Sequence, residues 1–399
     1  MTLRLATATA LSLVVLTACP TRPPVDDAGP TCSLAGLEAN PAGLHRSGSV
    51  GGVALSDDPG VPTSHHVGVA SIAAGIAAVF APTDAQQDVV LLVADDFGAL
   101  HAGGASAYTV DPAVFELRYQ EYLLEHPVLD VPYPDWLRAR LEQLQAAGAL
   151  SHGAFVLTHV LDLFSALGAA LVSDDGGRIV LALAASTVVV QAVEVGGLDA
   201  TQVAGLLASV ADAERAEGHT AFVVNMSFTL EPCDDVRAFR EDGADSFDPY
   251  LKATPPSIGP GDPLHDLILE DARDTVFVAA AGNFGGPAPR QPGRMPEVAS
   301  VSASVGSGAD VHAESNRAEV RAPGLWIPLG NPYGRNGAAM TGAVLLGGTS
   351  LAAPAVAVAS VLDVAAVPAR CADPMAGTLL AHGDYDDLAL PGAVDAHCM

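Results

Sequence analysis

Positively charged residues are scarce in this sequence. It has 18 Lys and Arg against 46 Asp and Glu, which gives a formal net charge of −28, and Lys252 is its single lysine. Because so acidic a chain is repelled by phosphate backbones and anionic membrane surfaces, we expect no nucleic-acid partner. The scarcity of lysine also argues against lysine-based catalysis.

No stretch beyond the N-terminus has an uninterrupted hydrophobic run that approaches the length of a transmembrane helix. The run Leu5–Val15 is too short to span a bilayer, and it leads into the sequence LTAC, which ends at Cys19 and resembles the lipobox of bacterial lipoproteins. We predict a lipoprotein signal peptide over 1–18, lipidation of Cys19 and a flexible tether over 19–31. The alternative is an ordinary secretory signal that contains a cysteine. The predicted location is extracytoplasmic, on a bacterial membrane, with the outer membrane or cell surface favoured.

Cysteines are few, and none has the spacing of a zinc site. Four follow Cys19, an even number that predicts two disulfides in an exported protein, with three pairings open. We prefer Cys32–Cys233 together with Cys371–Cys398. No HExxH motif or calcium-loop spacing is present, so we assign no metal ligand and expect no required cofactor. Structural calcium stays open without an assignable site.

Segments predicted to be buried strands alternate with predicted helices along most of the chain. Continuous apolar runs such as Asp88–Ala94 and Ala221–Met226 are typical of strands buried on both faces, and amphipathic stretches separate them. Helix starts are predicted at Asp199 or Thr201 and at Asp262-Pro263. The alternation predicts an α/β domain with a mostly parallel sheet. We place an N-terminal extension packed on the body at 32–87 and the main domain at 88–399. Insertions are expected at about 111–149, with two helices, and at 230–261, as a surface loop.

The stretch GGTSLAAPAVA, residues 347–357, contains the strongest candidate for a reactive side chain. Two glycines permit a tight turn, and Ser350 then falls at the start of a helix, where unpaired N–H groups favour a developing negative charge. We place Pro354 in the first turn of that helix, where a proline is tolerated. Ser350 is therefore a candidate nucleophile, and the alternative is a serine that only caps the helix.

Three further candidates supply the partners that such a nucleophile needs. Asp96 follows a predicted strand, and His152 lies in the first turn of a helix predicted over about Ser151–Val172, so a base and its orienting carboxylate are available. Asn283 lies on a turn after another strand and could donate its amide to an oxyanion. Asp95 is the alternative to Asp96.

Several stretches in sequence order resemble the subtilisin-like serine proteases, the subtilase family. They are VLLVADDFG, SHGAFV, VVNMSF, VAAAGNFGG, VRAPG, GGTSLAAPAVA and the closing GAVDA. The resemblance implies a three-layer fold with a mostly parallel central sheet flanked by helices. It also implies a catalytic triad of Asp96, His152 and Ser350, an oxyanion-hole role for Asn283, and a peptide-binding edge at Ser227 and Phe228.

Departures from the family pattern concern residues beside the triad. Phe97 stands where a Thr or Ser is usual next to the aspartate, and Phe228-Thr229 replaces Leu-Gly, which predicts a bulkier wall of the specificity pocket. The region before the first catalytic strand lacks the strand–helix pattern of the family's inhibitory prodomain.

The leading hypothesis is a monomeric serine endopeptidase acting on peptides or proteins through an acyl-enzyme. The alternative is a lipid-anchored pseudo-protease or binding scaffold that keeps the fold, because Phe97, Phe228 and the insertions could narrow the cleft. A lipase or esterase is weaker still, since no GxSxG motif is present.

Overall fold

The structure, a computed structural model, describes part of the 399-residue chain. The described residues are 30–35, 52–53, 69–97, 152–174, 177–242, 247–252, 256–272, 274–304, 311, 315–318, 320–326 and 345–366. The predictions for the signal peptide, Cys19, the insertion at 111–149, the pair Cys371–Cys398 and the closing GAVDA lie outside these residues.

The described strands form one large sheet and two small ones. Their bounds are β1 (Thr31–Ser33), β2 (Gly52–Val53), β3 (Val89–Asp95), β4 (Ala170–Asp174), β5 (Arg178–Leu183), β6 (Ser186–Glu194), β7 (Phe222–Met226), β8 (Leu230–Pro232), β9 (Thr275–Ala280), β10 (Val298–Ser304), β11 (Val320–Pro323), β12 (Leu325–Trp326) and β13 (Leu345–Gly347). The eight-stranded sheet has the order β11-β10-β9-β7-β3-β6-β5-β4, and every pair from β11 to β6 is parallel. Only the last two pairs are antiparallel. The prediction of a mostly parallel α/β sheet is confirmed.

Helices cover both faces of this sheet. The described α-helices are α1 (Val69–Val79), α2 (His152–Ala166), α3 (Ala200–Ala216), α4 (Cys233–Asp242), α5 (Pro263–Asp271) and α6 (Thr349–Ala365), with short 3₁₀ turns at Pro82–Asp84 and Asp248–Tyr250. Asp199 caps α3 in a capping box with Gln202, and Asp262 caps α5 ahead of Pro263. These starts agree with those predicted from the sequence.

The alternation of side chains along β3 divides the core into two layers. Val89, Leu91 and Val93 pack in the layer that contains α1, α2 and α6. Val90, Leu92 and Ala94 pack on the opposite face, with α3 and α5. Since successive side chains of a strand point to opposite faces, the parity of a residue in β3 decides which helices it can reach.

Two predicted elements differ from the structure. The helix expected over residues 151–172 ends at Ala166, because Gly168 adopts a φ of 87° and Ala169 N–H donates to the Phe164 carbonyl, which closes the helix. The chain then enters β4. The expected surface loop at 230–261 instead contains β8 and α4, because β8 pairs with the distant strand β1.

The disulfide Cys32–Cys233 is present, as preferred from the sequence. It joins β1 to the start of α4, where Phe239, Phe247 and Leu34 form a small separate core. The 230–261 segment is thus tied to residues near the N-terminus by pairing, packing and a covalent bond. Within the described part of the chain, none of the helices has the length and apolarity needed to cross a membrane.

Candidate active site

His152 stands at the first position of α2, against the end of β3. Its Nδ1 donates to Asp95 Oδ1 over 2.6 Å, and Asp96 N–H donates to the same oxygen over 2.7 Å. The helix start lies this close because Gly153 N–H donates to the Asp96 carbonyl, and a Cβ on Gly153 would lie 2.7 Å from that oxygen. The glycine that follows His152 therefore has a steric reason.

The structure corrects the expected partner of His152 from Asp96 to Asp95. Asp95 continues the parity of Leu91 and Val93, so its side chain lies on the face covered by α2 and α6, and Asp96 comes one residue later. The sequence favoured Asp96, but the face of the sheet that α2 covers places Asp95 against His152. Which face of the sheet α2 covers is a result of tertiary packing and cannot be inferred from the local sequence.

Burial governs the electrostatics of this pair. Desolvation raises the pKa of Asp95, while the hydrogen bonds from His152 and from Asp96 N–H act in the opposite direction. Burial alone would lower the pKa of His152, but the charge and hydrogen bond of Asp95 outweigh it, and the pKa is raised. The imidazole is thus oriented through Nδ1, and its protonated form is stabilised, as a general base requires.

Ser350 is the second residue of α6, after a tight turn. Gly348, with a φ of 140°, is the N-cap, so Ser350 is not the capping residue. Its position in the first turn places the hydroxyl at the positive end of the helix dipole. In the structure Ser350 Oγ donates to the carbonyl of Ser227 over 3.3 Å instead of to His152.

Pro354 lies inside α6 and not in its first turn, contrary to prediction. A proline there has no N–H to give to the carbonyl four residues earlier, which is that of Ser350. Ser227 supplies the missing donor, since its Oγ donates to the Ser350 carbonyl over 3.1 Å. Asn225 Nδ2 in turn donates to Ser227 Oγ over 2.9 Å. The backbone of the candidate nucleophile is therefore held by a side-chain network from the end of β7.

Asn283 lies in the turn after β9 and contacts the residue before Ser350. Its Oδ1 accepts from both the backbone N–H and the hydroxyl of Thr349, over 2.9 and 3.0 Å. The Thr349 hydroxyl also accepts from Gly282 N–H over 3.2 Å. Two donors on the oxygen fix the orientation of the amide, because a flipped amide would face a donor with a donor. The Nδ2 group stays oriented away from Thr349 as a possible donor.

Buried polar contacts shape the loop around Asn283. Asn316 Oδ1 accepts from Phe284 N–H and Gly286 N–H over 2.9 and 3.2 Å, and its Nδ2 donates to Ala288. Arg290 makes a two-pronged ion pair with Glu231 of β8, with its Nε 2.7 Å from Oε1. Burial raises the pKa of Glu231, and the hydrogen bond from Arg290 acts against this. The sequence offered no local signal for these pairs, because their members lie far apart in the chain.

The two predicted substrate-binding residues are both buried. Phe228 is 3% exposed and packs in the α3–α5 layer of the core, so its ring belongs to the interior. Ser227 is 1% exposed and contacts Ser350. Phe97 is also fully buried beneath the start of α2 and does not project over the site. Narrowing of the cleft by these two phenylalanine rings is therefore not observed.

One group among the described residues offers ligand atoms close enough together for a metal ion, namely Glu214, Glu217 and His219. Arg178 already occupies it, since its Nε lies 2.7 Å from Glu214 and its Nη2 lies 2.8 Å from Glu217. A guanidinium thus stands where a cation would bind, and we assign no metal there.

Comparison with known proteins identifies a matching family and solved structures of low sequence identity. A model of the Subtilase family matches residues 175–380, just over half of the chain, including Asn283 and Ser350. Comparison with curated proteins gave no match. Among solved structures, the prenylagaramide maturation protease PagA is 16% identical, with 81% of this chain and 98% of that chain covered and a TM-score of 0.44. The PatG macrocyclase in complex with peptide is 15% identical, with 81% and 95% covered and a TM-score of 0.39.

Proposed function

Because the chain belongs to the subtilase family, we propose that it is a serine endopeptidase that cleaves peptide bonds through an acyl-enzyme. Ser350 is the nucleophile, His152 the general base and Asp95 the carboxylate that orients it. The observation that carries this proposal is the 2.6 Å bond from His152 Nδ1 to Asp95, made at the carboxyl end of the parallel sheet, where open α/β folds place their sites.

The proposed chemistry follows from which nitrogen is engaged. With Nδ1–H donated to Asp95, the neutral imidazole keeps its lone pair on Nε2, which can take the Ser350 proton. The Ser350 hydroxyl donates to the Ser227 carbonyl in the structure, and the proposed mechanism requires it to turn toward His152. Attack on the peptide carbonyl then gives a tetrahedral oxyanion. His152 returns the proton to the leaving amine, and water hydrolyses the acyl-enzyme.

Asn283 is the proposed side-chain donor to that oxyanion. Its carbonyl is held by Thr349, so its Nδ2 is pre-oriented and needs no rearrangement when charge develops. Such a donor is typically worth about 3–4 kcal/mol in the barrier. Because Ser227 and Phe228 bury their side chains, the peptide-binding edge that we propose there presents their backbone groups.

A fluorophosphonate probe tests the proposal on the full chain solubilised in detergent. Wild-type protein should be labelled at Ser350 and should cleave an unstructured protein substrate, whereas Ser350→Ala should do neither. Thr349→Val, which removes only the hydroxyl that holds Asn283, should retain labelling at a reduced rate. Folded wild-type protein without label at Ser350 would rule out the serine-peptidase mechanism.

One observation favours a binding scaffold as the second candidate. The Ser350 hydroxyl is bonded to the Ser227 carbonyl and not to His152, which is the arrangement expected if the nucleophile is idle. The scaffold requires that Ser350→Ala leaves every biological effect of the protein intact. Loss of cleavage and of the effect together in that variant would reject it.

We further propose that Cys19 anchors the protein to the outer membrane or cell surface, that the enzyme is a monomer, and that it requires no cofactor. The lipobox-like sequence before Cys19 supports the anchor. Cells grown with an alkyne-bearing fatty acid should label the wild-type protein, and Cys19→Ser should not be labelled. Label that persists in Cys19→Ser would contradict the anchor.

A further inference from the structure

Glu194 ends β6 next to the proposed catalytic carboxylate. It is the register partner of Asp95 in the parallel pair β3–β6. Its two carboxylate oxygens accept different backbone N–H groups: Oε1 accepts from Gly196 over 2.7 Å, and Oε2 accepts from Phe97 over 2.8 Å. One side chain therefore spans the exits of both strands.

These N–H groups lie where the regular pairing of the strands has ended. Val195 N–H still donates to the Asp95 carbonyl over 2.8 Å, as the last backbone bond between the two strands. Beyond it, Phe97 is fully buried, and its N–H donates to the Glu194 carboxylate instead of to the backbone of β6. Hydrogen bonds to an ionised acceptor are about twice as strong as neutral ones. The side chain thus replaces the backbone ladder at the turn that carries Asp95 and Asp96.

Gly196 lets the carboxylates pack against this turn. A Cβ at that position would lie 2.8 Å from Asp96 Cγ and 2.8 Å from Glu194 Oε1, closer than real contacts allow. The two side chains therefore enclose the glycine. A tightly built contact of this kind fixes the position of the strand exit and not only its hydrogen bonding.

Among the described residues, the charges that act on Glu194 are those of Asp96 and Asp95. The pKa of Glu194 is raised to about 7, mainly by burial and also by the charges of Asp96 and Asp95, while the two N–H donors act in the opposite direction. His152 on α2 is connected to these carboxylates through its hydrogen bond to Asp95. A protonated carboxyl accepts through one oxygen well and through the other poorly, so both contacts are strongest when Glu194 is ionised.

We propose that Glu194 is a positioning residue of this site, whose ionised carboxylate ties the turn after Asp95 to the end of β6 and so holds Asp95 against His152. The inference rests on the proposed peptidase function for its effect on rate. Its effect on the titration of His152 does not depend on turnover, so the two ideas can fail separately.

The decisive variant is Glu194→Gln, with Glu217→Gln as the control for loss of a carboxylate away from the site. A glutamine cannot accept at both ends, because its amide nitrogen would face either Phe97 N–H or Gly196 N–H. We expect kcat/KM on a peptide substrate to fall about 10-fold or more through kcat, with KM nearly unchanged. The control should behave as wild type.

The second readout is the pH titration of His152, followed by NMR and assigned through the signal lost in His152→Gln. Removing the carboxylate charge and loosening Asp95 should lower the His152 midpoint by about 0.5 pH unit in Glu194→Gln and not in Glu217→Gln. If Glu194→Gln does not fold, Gly196→Ala provides the same test by displacing Asp96 and Glu194. A His152 midpoint unchanged in folded Glu194→Gln, or in Gly196→Ala, would overturn the proposal. A shifted midpoint in protein that cannot be labelled at Ser350 would support the proposal and reject the peptidase function.

Discussion

The Ser350 carbonyl and Pro354 provide the sharpest test of how the candidate nucleophile is held. Pro354 cannot donate to that carbonyl, and the Ser227 hydroxyl does so over 3.1 Å. Ser227→Ala should therefore leave the Ser350 carbonyl and the buried Asn225 amide without this partner. Leaving a buried polar group unpaired costs about 1–3 kcal/mol, so we expect a loss of this size in the free energy of unfolding.

Pro354→Ala restores a backbone N–H opposite the same carbonyl and should make the Ser227 hydroxyl partly redundant. In the Pro354→Ala background, Ser227→Ala should then cost about 1 kcal/mol less than in wild type, which is a coupling energy within the range seen for contacting residues. The rate of fluorophosphonate labelling at Ser350 should follow the same pattern. Both quantities come from four proteins: wild type, two single variants and the double variant.

A matched control lies on the same helix. Ser360 Oγ donates to the Val356 carbonyl over 2.8 Å. This serine hydroxyl also bonds a carbonyl of the helix, but no proline lies four residues after that carbonyl. Ser360→Ala should therefore show the same cost with and without Pro354. Equal costs of Ser227→Ala in the two backgrounds would refute the reasoning that its hydroxyl replaces the missing helix donor.

The remaining predictions concern the carboxylates, a buried histidine and the disulfide. Asp95→Asn should lower kcat on a peptide substrate by about 10⁴-fold, as expected when the base loses its orienting carboxylate, and should shift the acid limb of the rate to lower pH; Asp96→Asn should do neither, and the reverse ranking would reinstate Asp96. Burial lowers the pKa of His159 to about 3, so the stability it contributes is present above the pKa of histidine in the unfolded chain and is lost as pH falls toward the folded value. Between pH 6.5 and 4.5 this loss should be about 2–3 kcal/mol in urea unfolding; His159→Leu should remove that dependence, Asp242→Asn at the exposed end of α4 should not, and a dependence that survives in His159→Leu would contradict it. Replacing Cys32 and Cys233 by Ser should lower the free energy of unfolding by about 2–5 kcal/mol relative to wild type, and an unchanged value would show that packing alone holds β1 on β8.

Much of the fold could be predicted from the sequence, because the residue patterns that specify most strands and helices lie within the segments themselves. The mostly apolar runs that form β3 and β7 are typical of strands buried on both faces. Asp199 and Asp262 marked the starts of α3 and α5 through their capping chemistry. Elements that depend on distant partners were harder: β8 exists because β1 pairs with it, and the sequence near Leu230 predicted a loop.

For the candidate site, the sequence by itself determined which residue types and turns are present: Ser350 at a glycine turn before a helix, His152 before Gly153, and Asn283 after a strand. Only the tertiary structure decided which of them meet. Asp95 contacts His152 because its parity in β3 faces the layer of α2 and α6. Likewise, Ser227 reaches the Ser350 carbonyl and Glu194 reaches Phe97 N–H across more than 90 residues of chain. The physical reason is the same in each case. These hydrogen bonds join groups that are far apart in the chain, so they depend on which faces and registers pack together. No local sequence pattern specifies that packing.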